Sequence, residues 1–256
     1  MSTHDVDPGI AGGATDALAT AIRERGFARL HGRAFAALLP AAAVSGWATF
    51  AASWNDLGVD TYMADGGRYR RRRFATFSVA APAPGVAPSI ERKPHQPHYQ
   101  SRDYNPLNGG VERWFMPIAD AIADHPLLRS IMERSAALFG DVMPPALRPS
   151  TWHAECHQFR IEARADAPGQ PTPEGLHRDG VDFVIVVLVA RANIAEGVTT
   201  IHDLQRREIG SFTLSEPLDA AFVDDGRVYH GVTAVRPLDP ARPGCRDVLV
   251  VTFRRA

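Results

Sequence analysis

The hydrophobic pattern changes period near the middle of the chain. Over residues 13–26 apolar side chains recur at helical spacing, and Gly26 offers a C-cap. Phe27 to His31 then reads as a short strand. Trp47, Phe50 and Trp54, among Ala and Leu, give a second helix over about 36–56 its apolar face. Residues 110–140, with Trp114, Phe115, Ile118, Leu127, Ile131 and Leu138, predict one or two more helices. Between these helices, residues 80–109 are rich in Pro, Gly, His and Asn and predict an irregular loop. A loop of that length in a compact domain is usually functional or disordered.

From about Trp152 short strands take over. The pattern predicts them near 152–163, 181–190, 197–204, 208–214, 219–223, 227–235 and 246–254, separated by turns such as Asp224-Asp225-Gly226. Strands at this spacing indicate a sandwich or barrel rather than βαβ units. The expected architecture is mainly β with α. It forms one domain over 1–256, with the helices and loops of 1–150 packed on a β core at 151–256.

Composition narrows the function classes. The chain has 256 residues, 45% hydrophobic and 22% charged, which describes an ordinary globular protein. A net charge of −1 gives no general attraction to nucleic acid or anionic membrane. The longest apolar run, Val184 to Ala190, is too short to span a bilayer. Lys93 is the only lysine among 28 basic residues, so no Gly-Lys-Ser/Thr phosphate loop exists. Cys156 and Cys245 lack metal-type spacing, and the first thirty residues show no apolar signal segment, so a cytoplasmic protein is expected. Self-association into a homo-oligomer stays open.

The chemistry concentrates in His177-Arg178-Asp179-Gly180 and in Val228-Tyr229-His230-Gly231-Val232-Thr233. On extended backbone, residues two apart point the same way, so His177 and Asp179 can grip one ion while Arg178 faces outward. His230, returned by a neighbouring strand, would complete a two-histidine, one-carboxylate face that suits non-haem Fe(II). The plainer reading makes His230 a hydrogen-bonded core histidine. A rival pair, His153 and His157 around Glu155, would suit zinc on a helix. However, the segment alternates like a strand, where residues four apart lie roughly 13 Å from each other.

Three segments carry a resemblance: Glu174 to Phe183, Val223-Asp224-Asp225 followed by His230-Gly231-Val232-Thr233, and Arg246 to Phe253. They resemble the 2-oxoglutarate/Fe(II)-dependent dioxygenases, and more narrowly the subgroup of bacterial L-isoleucine 4-hydroxylase and the biofilm-stress-associated proteins. The similarity runs over about 150–254, and Gln100 to Gly110 is also similar to that subgroup. The resemblance implies a double-stranded β-helix (jelly roll) flanked by N-terminal helices, with Fe(II) held by His177, Asp179 and His230. It further implies 2-oxoglutarate and O2 as cosubstrates, with oxidative decarboxylation to succinate and CO2 coupled to hydroxylation of a C–H bond. The implied substrate is a small molecule, a free amino acid or similar carboxylic acid.

In that family an arginine pairs with the far carboxylate of 2-oxoglutarate. Arg246, at the start of the last strand, is the candidate, because its fork binds a carboxylate bidentately. Arg160 on the first main strand and Arg236 after the distal His compete with it. The family more often has Arg-x-Ser or Arg-x-Thr closer to the second His than Arg246-Asp247-Val248 lies to His230. Two other classes stay open. A cupin-like metal enzyme would keep the ligands without needing Arg246, and a non-catalytic stress or regulatory protein would keep the fold.

Two polar stretches remain. The Arg68-Tyr69-Arg70-Arg71-Arg72-Arg73 run before Phe74 to Val79 reads as an exposed or edge strand whose charges resist pairing with other chains. Alternatively, one of its faces reaches the pocket and binds a substrate carboxylate. The stretch carrying His95, His98, Tyr99, Gln100, Tyr104 and Asn105 is too polar for core. It is either a lid over the substrate or a hydrated surface loop.

Overall fold

In the computed structural model the described residues are 11–80 and 89–256, so 81–88 of the expected 80–109 loop and residues 1–10 lie outside them. The strands are β1 (Phe27–Leu30), β2 (Gly58–Val59), β3 (Arg70–Ala80), β4 (Ile90–Arg92), β5 (Thr151–Ala163), β6 (Phe183–Ala192) and β7 (Ile194–Glu196). They continue with β8 (Thr199–His202), β9 (Glu208–Phe212), β10 (Ala220–Asp224), β11 (Tyr229–Val232), β12 (Val235–Pro237) and β13 (Gly244–Arg255). An antiparallel sheet runs in the order β1-β10-β6-β13-β5-β3-β2, with β4 paired to β3. A smaller sheet, β11-β8-β9, and the β12-β7 pair complete the β structure.

Strand alternation gives the large sheet two different faces. On β5, His153, Glu155, His157 and Phe159 line a cavity, whereas Trp152, Ala154 and Cys156 enter the main apolar core. On β13, Arg246, Val248, Val250 and Thr252 line the cavity, and Leu249, Val251 and Phe253 enter the core. That core is completed by α1 (Ala11–Arg25), α2 (Gly32–Ala37), α3 (Ala41–Val44), α4 (Trp47–Ala52), α5 (Asp120–Ala123) and α6 (Pro126–Val142). Phe139 of α6 stacks on Phe183 at 4.6 Å and meets Phe253 edge-on at 5.2 Å. Residues of β8 and β11 line the cavity from the opposite side, so it lies between the two sheets of a jelly roll.

The predicted strands of the second half all appear, with the 227–235 stretch divided into β11 and β12. The first half differs more. The helix expected over 36–56 is three short helices and a 3-10 turn, broken at Pro40 and Gly46. Proline cannot continue a hydrogen-bonded turn and glycine favours its end. Residues 110–118 are not helical: Arg113 bridges His98 and Pro117 bridges Phe74, and α6 starts only at Pro126, capped by His125. The arginine run is no edge. β3 lies between β5 on one side and β2 and β4 on the other, with Arg70 6% and Arg72 3% exposed. Arg71 and Arg73 take the opposite face, against Glu162 at 2.6 Å and Asp56 at 2.7 Å. None of the helices among the described residues is long and apolar enough to cross a membrane.

Candidate active site

His177 precedes β6 and His230 sits in β11, and the two form an antiparallel bridge with reciprocal backbone hydrogen bonds of 3.0 and 2.9 Å. Directly opposed residues put their side chains on one face, and the two rings stand 4.5 Å apart. Asp179 closes the face: its Oδ1 is 3.7 Å from His177 Nε2 and its Oδ2 is 3.5 Å from His230 Nε2. The three predicted ligands therefore converge.

The atoms that converge are the right ones for a cation. His177 Nδ1 donates to the Gly175 carbonyl at 3.0 Å, so in the neutral ring the lone pair belongs to Nε2, the atom facing the Asp179 carboxylate. Burial opposes a charge on His177, but the hydrogen bond and charge of Asp179 outweigh it and bring its pKa up to about 9. Two imidazole nitrogens and one carboxylate converging from one side fit a divalent metal of the Fe(II) type. His230 Nδ1 is buried with no hydrogen-bond partner among the described residues.

A second group, His98, Glu155 and His157, also brings potential ligand atoms within 4.8 Å of one another. Its protons are arranged differently. His157 Nδ1 faces Arg72 Nη2 at 2.5 Å, so it accepts there and carries its proton on Nε2, the atom facing Glu155. His98 Nδ1 donates to Glu155 at 2.7 Å, and His153 Nε2 approaches the other oxygen at 3.4 Å. Burial opposes the Glu155 charge, but these hydrogen bonds hold its pKa well below the carboxylate range. This group is a hydrogen-bonded buried network in which Glu155 already receives His98 and His153, and His157 meets Arg72.

The turn carrying Asp179 is fixed from two sides. The Asp225 carboxylate accepts from the backbone N–H groups of Asp179 (2.8 Å), Gly180 (2.7 Å) and Val181 (3.1 Å). Gly180 has φ +80°, and a Cβ there would sit 2.6 Å from the Tyr104 ring, so the tight approach needs glycine. Gln100 Nε2 donates to the Asp179 carbonyl at 3.1 Å, and Gln100 Oε1 accepts from Asn105 Nδ2 at 3.0 Å. The polar stretch after His95 is therefore a structured cavity wall rather than a hydrated surface loop. Sequence reasoning took Asp225 for a turn residue only. Its side-chain role depends on the β10–β11 turn lying against residues 179–181.

The cavity measures about 470 Å³. Arg246 enters it from β13, 3% exposed, with its Nε lacking a partner among the described residues. Burial, aided by Arg191, lowers its pKa to about 10, so it remains a cation at neutral pH. Arg160 does not line the cavity. It points from the opposite face of β5 and is committed to Asp247 through bonds of 2.8 and 2.7 Å, which corrects its candidacy as a cosubstrate ligand. Arg236 is exposed on β12.

Comparison with known proteins agrees with this geometry. The family model for 2OG-Fe dioxygenases matches residues 51–252. The chain is 31% identical over 157 residues to an L-isoleucine-4-hydroxylase from Bacillus thuringiensis, covering 61% of this chain and 64% of that one. It is 25% identical over 160 residues to a 3(1)-hydroxy-L-isoleucine 4-dioxygenase from Pantoea ananatis, covering 62% and 64%. The matches thus span just under two thirds of the length of these curated relatives. Among solved structures, a bsmA homolog from Methylobium petroleophilum PM1 superposes with a TM-score of 0.84 at 33% identity, covering 98% of this chain and 96% of that one. IDO from Bacillus thuringiensis, at 20% identity, shares the fold with a TM-score of 0.76, covering 94% and 99%. The matched span carries His177, Asp179, His230 and Arg246 together, and the chain belongs to the 2OG-Fe dioxygenase family.

Proposed function

We propose that this protein is an Fe(II)- and 2-oxoglutarate-dependent hydroxylase acting on the side chain of a free L-amino acid or a closely similar small carboxylic acid. One observation carries the reading: the His177–Asp179–His230 face and the buried guanidinium of Arg246, whose Nε has no partner among the described residues, open into the same 470 Å³ cavity. A cupin-like enzyme would use the first but has no need of the second. The printed names of two relatives, which specify isoleucine and a hydroxyisoleucine, support the amino acid class.

His177, Asp179 and His230 would hold the metal from one side. Fe(II) held there would supply the activation of O2 that couples oxidative decarboxylation of 2-oxoglutarate, to succinate and CO2, with hydroxylation of the substrate. Arg246 would pair with the distal carboxylate of 2-oxoglutarate in a bidentate fork, strengthened by its burial. Val184, Val248 and Val250 give the cavity wall an apolar stretch, which would limit side reactions with water. Asp225 and Gln100 hold the Asp179 turn, so the carboxylate keeps one orientation. A cavity of this size suits a substrate of amino acid dimensions beside the cosubstrate.

The test is succinate formation across the twenty L-amino acids with Fe(II), 2-oxoglutarate and O2, using His177→Ala as the blank. One or a few amino acids should raise succinate well above the substrate-free rate. Turnover that survives His177→Ala would remove the metal assignment, and a panel with no stimulation would remove the amino acid class.

A further inference from the structure

The cavity wall holds a second set of charges that the metal face and Arg246 leave unused. Arg113 is 2% exposed, and its Nε and Nη2 are buried without a partner among the described residues. Arg70 Nη2 and Arg72 Nε are buried and unpartnered in the same way. Asp60 accepts from Arg70 Nε at 2.8 Å and lies 3.6 Å from Arg72 Nη1, so these two arginines share a counter-ion. Arg72 is further committed to His157 and stacked over Phe115. Arg113 keeps the most unused donors of the three.

The complementary charge is Glu174. It lines the cavity with a side chain 8% exposed, its Oε1 lies 3.5 Å from His177 Nε2, and its Oε2 is buried without a partner among the described residues. Arg113 and Glu174 line the same cavity, so one ligand filling it can meet both. Glu155 does not compete for a ligand cation, since it already receives His98 and His153. Leaving a buried guanidinium and a buried carboxylate oxygen unpaired is unfavourable, and one molecule bearing both charges would satisfy the two together.

Building on the hydroxylase reading above, we propose that Arg113, with Arg70 lining the same cavity, receives the α-carboxylate of the substrate and that Glu174 receives its α-ammonium. The cavity then selects an unblocked amino acid zwitterion. The guanidinium fork suits a carboxylate bidentately, and Glu174 places the cationic pole beside the metal face. Blocking either pole leaves one buried charge uncompensated, which is a stronger rejection than a change in side-chain size.

The experiment takes the L-amino acid that best stimulates succinate formation, together with its N-acetyl, N-succinyl and methyl ester derivatives. These are run on the wild-type enzyme and on Arg113→Met, Arg113→Lys and Glu174→Gln. Wild type should use the free amino acid and reject the derivatives. Arg113→Met should raise KM for the amino acid roughly 100-fold, as expected for losing a buried charged partner, and leave KM for 2-oxoglutarate within about twofold. Its melting temperature should rise, because an unpaired buried cation has been removed. Arg113→Lys, which keeps the charge without the fork, should fall between. Glu174→Gln should raise KM at least about tenfold and weaken the preference against N-acetylation.

An unchanged KM in both Arg113→Met and Glu174→Gln would overturn the proposal. So would a blocked derivative turned over as well as its parent, or a melting temperature that falls in Arg113→Met with KM unmoved. If no free amino acid stimulates the wild type at all, the hydroxylase reading has failed first.

Discussion

Asp225→Asn changes one atom at the residue that holds the metal face in shape. The native carboxylate accepts three backbone N–H groups, at 2.8 Å from Asp179, 2.7 Å from Gly180 and 3.1 Å from Val181. An amide keeps one oxygen, which can serve Gly180 and Val181, but its NH2 then points at the Asp179 N–H. One charge-assisted bond of about 1.5–3 kcal/mol is lost and a buried donor is orphaned at a further ~1–3 kcal/mol. Part of this is recovered. Burial, and then the nearby Asp179 charge, push the Asp225 pKa up, so the ionised side chain is itself unfavourable there. A net loss of about 2 kcal/mol in stability is expected. The functional effect should be larger. With the Asp179 backbone released, its carboxylate can turn away from the two imidazoles, and supporting residues of this kind typically change metal affinity about 10–100-fold. Anaerobic calorimetric titration with Fe(II), or with Mn(II) as a redox-stable probe, measures this directly beside a melting curve. A metal Kd within about twofold of wild type, whatever the melting temperature, would refute the claim that Asp225 orients the ligand turn.

Three further outcomes follow from the charges in and around the cavity. Arg246→Met should raise KM for 2-oxoglutarate by about 2–3 kcal/mol equivalent, roughly 30–150-fold, in assays of succinate formation. Arg160→Met should leave that KM unchanged and lower stability, since it strands Asp247. Asp224, pushed up to about 6 by burial against an ordinary value of 3.8, should give the opposite sign in a melting experiment. Its ionised form is disfavoured in the folded state, so Asp224→Asn should stabilise the protein above about pH 6. The gain should shrink as the pH falls and vanish below about 4, where folded and unfolded states are both protonated. A stabilisation that persists unchanged at pH 4 would contradict this.

The parts of this protein that were legible in the chain are those set by local geometry. Period-two alternation over 152–254 is a property of extended backbone, so the strands of the second half could be read directly. His177 and Asp179 share a face for the same reason, and the strand reading of His153 to His157 correctly removed the helical zinc pair. The helix near 36–56 and the helical reading of 110–118 failed where periodic apolar residues were interrupted by Pro40 and Gly46, or were drawn into β bridges with Phe74 and His98. Packing outweighed propensity there.

What the chain could not disclose is which face of each strand turns inward. Arg160 and Arg246 both begin as arginines on core strands, and their alternation alone ranks neither above the other. The β5–β13 register sets Arg246 opposite Ile161 and Asp247 opposite Arg160. Opposed residues share a face, and α1 and α6 cover the face of Trp152, Leu249 and Phe253. Arg246 is thereby turned into the cavity, and Arg160 is left to pair with Asp247. The same logic buried Arg70, Arg72 and Arg113 among 27 arginines with no local mark to distinguish them. Charge and periodicity are written in consecutive residues. Burial arises only when segments distant in sequence meet, and it is burial in the cavity wall that sets Arg246 apart from an ordinary surface arginine.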